Sequence, residues 1–395
     1  MDLRDSEGDA EFRAGLRDWL EDHVPLEWRP PGFWARVPEA ESFRLRREWE
    51  ASKAEAGWSG VDWPTEYGGR GGTPTQKAIH DEEMGRVRAP ASVNRPGVVF
   101  LAPTVMAIGT EEQKRRIIKA TLHNEIIWCQ GFSEPDAGSD LAALRTRATD
   151  DGDYWVLNGQ KVWTSYGHRA DRMFCLARTS SSAEKPHRGL TMLLFDMSLD
   201  GIEVRPIRQL SGSLDFCEVF FTDVRVPKAS VLGEVGDGWN AAMLLLSFER
   251  SSAVEKYAEF RPELDDLVSM ARTTYRDGTL AASDRLFRQR IGQLVIDLEL
   301  LYLHALHVLT KVERGDVLGA ESSVTKLQWS ETHQDMGELF ADLSGLGSMV
   351  GDPATALGIS FAQQRYLWSR AETLYGGSSQ VQRNIIAERL LNLPR

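Results

Sequence analysis

The sequence predicts an α+β chain in three consecutive parts: helices, then a compact β region that closes toward a barrel, then a four-helix bundle. Three observations predict it. Up to about residue 125, stretches rich in Ala, Arg, Glu and Leu are separated by breakers such as Pro30-Pro31, Pro64 and Gly68-Gly69. From about 128 to 235, short β-branched and aromatic runs alternate with Gly, Pro, Ser and Asp. From Trp239 onward, long segments with helical apolar spacing return. The expected domains are therefore 1–126, 127–236 and 237–395.

In the first part the expected helices are Glu11 to Glu21, Glu41 to Ala56, Thr75 to Val87 and Glu111 to Thr121. In the second, Tyr154 to Leu157 and Gln160 to Trp163 flank Asn158-Gly159, a pair suited to a type I′ hairpin turn. Further strands are expected at Met173 to Ala177, Leu190 to Phe195, Ile202 to Ile207 and Glu218 to Val226. The final part reads as helices over about 238–274, 284–314, 319–347, 354–373 and 379–391. The Ser180-Ser-Ser-Ala-Glu-Lys-Pro run reads as an exposed loop, and no internal repeat is present.

The composition is that of a folded chain, 42% hydrophobic and 26% charged. A net charge of −12 argues against nucleic acid or an anionic membrane as the main partner, since both require clustered Lys and Arg. Apolar runs such as Ala241 to Phe248 are too short to cross a bilayer. The first twenty residues are acidic and amphipathic without an apolar signal core, so a cytoplasmic location is expected. Cys129, Cys175 and Cys217 are odd in number and widely spaced, which supports neither a disulfide scaffold nor a zinc site. His304 and His307 lie three apart on a predicted helix but lack a third ligand. Gly68-Gly-Arg-Gly-Gly72 lacks both the spacing and the preceding strand of a dinucleotide fingerprint.

Two segments stand out. Gln130-Gly-Phe-Ser-Glu-Pro-Asp-Ala-Gly-Ser-Asp140 reads as a loop of small and hydroxylic residues, able to present backbone N–H groups to a ligand, or as a plain connector. Trp163-Thr-Ser-Tyr-Gly167 places an indole beside hydroxyls at a strand end. It is suited to stacking on a flat ring, or to service as a buried structural tryptophan.

Taken together, these segments resemble the two signatures of the acyl-CoA dehydrogenase family. Trp63-Pro-Thr-Glu-Tyr-Gly-Gly-Arg-Gly is similar to the family's N-terminal stretch, and Phe220-Phe-Thr-Asp-Val-Arg-Val-Pro to its late strand. Tyr375-Gly-Gly-Ser-Ser-Gln-Val-Gln-Arg resembles its C-terminal flavin segment, so the resemblance runs the length of the chain in order. It implies FAD held between the middle and C-terminal domains of a homodimer or homotetramer, with each flavin also touching a neighbouring subunit. It implies cofactor-binding roles for Gln130, Phe132, Ser133, Ser139, Trp163, Thr164, Ser165, Gly377, Ser378 and Gln380. Among these, Phe132 and Ser133 would line the isoalloxazine, Trp163 and Ser165 would contact the flavin ring, and Ser139 would lie near the acyl-CoA. Ser378 and Gln380 would reach the adenosine half. Arg288, in Arg288-Gln-Arg290, would meet the pyrophosphate across the interface or else belong to an exposed basic face.

The implied reaction is α,β-desaturation of an acyl-CoA thioester, with electrons passed to electron-transfer flavoprotein. Removing hydrogens from a saturated chain needs a carboxylate for the α-proton and the flavin N5 for the β-hydride. Many family members carry that carboxylate at the position of Gly376, where this chain has none. The isovaleryl and long-chain types carry it on the first long C-terminal helix, and the matching residue is Glu249. At about 100° per residue, Glu249 shares a face with Ala242, Leu245, Leu246 and Ala253, an apolar setting that would raise its pKa. The other reading of Glu249 is a structural pair with Arg250. The family uses the N–H at the Gly376 position, together with a ribityl hydroxyl, to polarise the thioester oxygen. Glycine keeps that N–H and makes room for a wide, branched or steroid-derived acyl group.

One family segment, Gln-x-x-Gly-Gly, has no clean counterpart, and Asp342-Leu-Ser-Gly-Leu-Gly-Ser348 stands near its place. The departure points to an altered interface, in which the chain forms dimers or pairs with a different but related subunit. Two further readings stay open: a non-catalytic subunit of such a heteromer, and a related flavoenzyme of the nitroalkane oxidase or flavin monooxygenase kind.

Overall fold

The computed structural model describes residues 4–180, 186–249, 253–316, 319–352, 354–356 and 358–394, the side chain of Glu249 excepted. Ser6 caps α1 (Glu7–His23) by accepting from Asp9 N, and Phe12, Leu16 and Leu20 recur every fourth residue on its buried face. That face packs with Trp49 of α3 (Glu39–Glu55) and Ile79 of α4 (Pro74–Arg86). Between α1 and α3 lie a 3-10 turn at Leu26–Trp28 and the short helix α2 (Phe33–Arg36). A π-helical stretch, Pro96–Leu101, runs into α5 (Ala102–Ile108). Thr110 and Gln113 then form a reciprocal capping box on α6 (Glu111–Leu122).

The β region has eight strands: β1 (Trp128–Gly131), β2 (Arg147–Asp151), β3 (Tyr154–Ser165), β4 (Arg172–Arg178), β5 (Leu190–Asp196), β6 (Ile202–Ile207), β7 (Phe216–Pro227) and β8 (Val231–Leu232). They follow the order β6-β7-β3-β2-β4-β5-β8, with β1 parallel to β4. β2 meets β4 through Arg147 and Arg178, and the sheet folds back there around a shared interior. Trp155, Leu157, Val219 and Val224 from one half face Met173, Cys175, Leu193 and Phe195 from the other. The alternate residues of β4 and β5, Phe174, Leu176, Met192 and Leu194, pack against the helical N-terminal part. Both strands are therefore buried on two faces, which is why they read as unbroken apolar runs.

The expected hairpin at Asn158-Gly159 is not formed, because β3 is a single strand through both residues. It is paired along its length with β7 and, in its first half, with β2. The pair instead faces a bulge in β7, where Thr222 and Asp223 together stand opposite Asn158, with Asp223 at φ 50° and Gly159 at φ 150°. Asn158 and Asp223 complete it through two hydrogen bonds of 2.9 Å. Positive-φ turn chemistry of the primed kind appears at Asp277-Gly278, between β9 (Tyr275–Arg276) and β10 (Thr279–Leu280). Gln130 and Gly131 lie in β1, so the segment expected to be a loop from Gln130 begins as strand.

In the C-terminal part, α7 (Gly238–Glu249) packs on β5 and the π-helical stretch. α8 (Ala253–Thr273), α9 (Arg285–Glu313), α10 (Glu321–Ser344) and α11 (Phe361–Glu372) form the bundle, followed by α12 (Ser379–Ile385) and a last π-helical turn. α11 starts seven residues later than expected, because Gly358 takes a left-handed φ of 71° and Ser360 caps the helix with Gln363. One described helix, α9, is long and apolar enough by length and composition to cross a membrane. Here it packs on α8 and α10 and turns a second apolar stripe outward.

Candidate active site

The two sequence signatures are joined by the strand that carries the second. Lys161 is fully buried on β3, and its Nζ donates to Glu134 Oε1 at 2.8 Å and to the Phe132 carbonyl at 3.0 Å. Val162 N donates to the Ser133 carbonyl at 2.9 Å. Glu134 also accepts from Arg145 N and Thr146 N, at 2.6 and 2.9 Å. Burial pushes the Glu134 carboxyl up, but the Lys161 charge and these hydrogen bonds outweigh it and hold the group below its ordinary range. Phe132 and Ser133 are thereby fixed beside β3, with Phe132 set edge-on to Phe174.

Trp163 follows immediately, at a second register shift between β3 and β7. Its φ is +61°, a left-handed conformation uncommon for so large a residue. The indole is 58% exposed, so it is not a buried structural tryptophan. Its ring meets the edge of Phe216, and Phe216 lies parallel to Trp368 of α11 at a centroid distance of 6.2 Å. This aromatic row crosses from the β region to the helical bundle. Ser165 is half-buried opposite Phe216, and Thr164 points inward.

The Tyr375–Ser378 turn follows α11. Gly376 and Gly377 have φ of 63° and 89°, values that favour glycine at both positions. The buried Gln382 side chain donates from Nε2 to the carbonyls of Gly376 and Gly377, at 2.9 and 3.3 Å. Among the described residues, no acceptor takes the N–H of Gly376 or Gly377. Ser378 caps α12 by accepting from Val381 N, and Gln380 is exposed. Of the other expected site residues, Gln130 is half-buried on β1 and Ser139 is exposed. Arg288 is exposed on the first turn of α9, outside the row of aromatic contacts.

Glu249 is the last described residue of α7, while its side chain and Arg250 lie outside the described residues. Of the residues expected to share its face, Ala242 and Leu245 of α7 are enclosed in a cluster with Phe132 and Phe174, Leu246 is half-buried beside them, and Ala253 is buried at the start of a separate helix, α8. Lys161, Glu134 and Gln382 are positioning residues that the sequence reading did not single out. Strand alternation carried a signal for one of them, since Lys161 has the same parity as the buried Trp155 and Leu157.

The residues around this seam fit a flat cofactor rich in heteroatoms. Thr164 Oγ1, Ser379 Oγ and Gln382 Oε1 are buried with no hydrogen-bond partner among the described residues. They accompany an uncovered indole and two unclaimed backbone N–H groups.

Family models place the chain in the same company. The N-terminal, middle and C-terminal domain models of acyl-CoA dehydrogenases match residues 6–125, 129–224 and 236–391. The chain belongs to the acyl-CoA dehydrogenase family of oxidoreductases. Among its relatives, acyl-CoA dehydrogenase IpdE1 of Mycobacterium tuberculosis is 41% identical over 389 residues, covering 98% of each chain. IpdE1 of Mycolicibacterium smegmatis is 40% identical, with the same coverage. Among solved structures, the Tcur3481-Tcur3483 steroid ACAD superposes with a TM-score of 0.85 at 29% identity, over all of both chains. The ChsE4-ChsE5 complex from Mycobacterium tuberculosis gives 0.84 at 29%, again over all of both chains.

Proposed function

We propose that the protein is an FAD-dependent dehydrogenase that introduces an α,β double bond into a bulky, steroid-derived acyl-CoA thioester. The observation that carries this reading is the uncovered, left-handed Trp163. It stands beside the stitched Phe132–Ser133 strip and heads an aromatic row that leads to the helix preceding Gly376. FAD, when bound, supplies the hydride acceptor. Phe132, Ser133, Trp163 and Ser165 would hold its ring, with Gln130, Thr164, Gly377, Ser378 and Gln380 completing the cradle. Ser139 would lie near the acyl-CoA. Glu249, at the end of α7, takes the α-proton. The Gly376 N–H polarises the thioester oxygen, and the absent side chain leaves width for a ring-bearing substrate, in keeping with the steroid named for one structural relative.

The protein is further proposed to act as an oligomer, with Arg288 reaching a neighbouring subunit and with electron-transfer flavoprotein as electron acceptor. Two of its structural relatives are two-component assemblies by name, which favours a related subunit as the partner. The test is anaerobic bleaching of the flavin by a panel of acyl-CoAs, with Glu249→Gln alongside. Bleaching by ring-bearing thioesters in the wild type, slowed by about a thousandfold or more in the variant, is the expected result. Equal bleaching in both would move the base elsewhere.

A further inference from the structure

The bundle conceals a charged network directly behind the Gly376 turn. His333 of α10 is fully buried, with its ring stacked on Phe260 at 4.3 Å. Its Nδ1 lies 2.5 Å from Glu372 Oε2, and its Nε2 lies 3.1 Å from Glu263 Oε2. An imidazole between two carboxylate oxygens satisfies both only by donating from both nitrogens, that is, as the cation. Burial opposes that charge, but the two carboxylates outweigh it and push the His333 pKa up to about 9. Glu263 is held from its other oxygen by Arg365 at 2.7 Å.

Glu372 ends α11 and is also fully buried. Its Oε1 accepts from Trp368 Nε1 at 3.0 Å and from the Tyr375 hydroxyl at 3.5 Å. Its backbone carbonyl accepts from the buried Lys326 at 2.7 Å. Removing so many charges from water is costly, and apolar side chains of similar volume would stabilise a bundle as well or better. Stability alone therefore does not account for the network. Its geometry does: one carboxylate grips the indole that stacks on Phe216 and the residue that immediately precedes Gly376.

We propose that Glu372, clamped by His333, is a positioning residue for the reaction, setting the aromatic edge of the flavin site and the thioester-polarising Gly376 N–H in a single register. This rests on the dehydrogenase reading above. Glu372 is fully buried behind the turn. It acts through Trp368 and Tyr375, while Gln382 holds the turn from its other side. An N–H displaced by about an ångström costs transition-state stabilisation more than substrate binding, because it matters most when charge reaches the thioester oxygen.

The experiment measures the rate of anaerobic flavin bleaching at saturating acyl-CoA, together with the apparent Kd for that acyl-CoA, in the FAD-loaded protein. Glu372→Gln keeps the shape and removes the charge that His333 holds. It is expected to slow bleaching by about tenfold or more while Kd moves by less than about threefold. Tyr375→Phe loses only a hydroxyl from a partly exposed ring, so it tests the idea even if Glu372→Gln does not fold; a loss of about threefold in the same rate is expected. Either folded variant bleaching within about twofold of wild type overturns the positioning role, as does a loss confined to Kd. A wild type that takes up FAD but bleaches with no acyl-CoA overturns the dehydrogenase reading itself, and this inference with it.

Discussion

At the scale of single residues, Lys161 shows how a signature segment gains its rigidity. A fully buried ammonium is tolerated because Glu134 Oε1 and the Phe132 carbonyl both accept from it. The same contacts hold Phe132 and Ser133 beside the strand that ends in Trp163. Replacing Lys161 by Met strands the Glu134 carboxylate against two backbone N–H groups, with its counter-charge gone. A loss of about 3 kcal/mol in urea unfolding is expected, together with a lower FAD content in the purified protein. Adding Glu134→Gln to the variant removes the stranded charge. The double variant should regain part of the stability but not the FAD content, because the clamp on Phe132 is still missing. Recovery of both would show that the pair serves stability alone.

At the scale of elements, the chain announced its helices clearly and its strands less so. α1, α3, α4 and α6 were legible as runs of helix formers between breakers, although the Ser6 cap starts α1 at Glu7, four residues before the expected Glu11, and only α6 begins at its expected residue, behind the Thr110/Gln113 box. β4 and β5 were legible because both of their faces are buried. β1 and β2 were not, since four or five residues with mixed polarity carry no period of their own and owe their pairing to neighbours distant in sequence. Asn158-Gly159 misled for a physical reason. The chemistry that makes a tight turn also makes a bulge, and the strands available on either side of β3 decide between them. In the site, Trp163, Phe132 and the double glycine were legible as motifs. The Lys161–Glu134 clamp was legible only as strand parity, and the Glu372–His333 network left no local trace, because its members come from three helices. The bulge can be tested directly. A Cβ on Gly159 would sit 2.6 Å from Thr146 Oγ1, at a φ of +150° that other residues rarely adopt. Gly159→Ala is expected to lower stability by about 2 kcal/mol and to weaken FAD retention, since β3 carries both Lys161 and Trp163 beyond the bulge. Scanning calorimetry and flavin absorbance check the two effects, and an unchanged melting temperature would mean that the bulge relaxes freely.

At the scale of the whole molecule, the surface of α9 departs from what a lone chain would present. Ile296, Leu300 and Leu303 are exposed at helical spacing on one stripe, with Val295 beside them and Leu286 a few turns away. The opposite face of the same helix buries Leu294, Leu298 and Leu301 in the bundle core. Monomers rarely leave an ordered apolar stripe of this kind in water. The helix also carries, on its first turn, Arg288, the residue proposed to reach a neighbouring subunit's cofactor, so covering the stripe and completing the site would be one event. Introducing Ile296→Glu and Leu300→Glu together should leave the chain folded, since neither residue contributes to its own core, while placing carboxylates where a partner must dehydrate them. The expected outcome is a drop to monomer by light scattering during size-exclusion chromatography, accompanied by loss of bound FAD. If the variant keeps the wild-type mass, the stripe is covered by nothing that holds the assembly together. If it becomes monomeric yet retains its full complement of FAD, the cofactor site is complete within one chain and the role proposed for Arg288 falls.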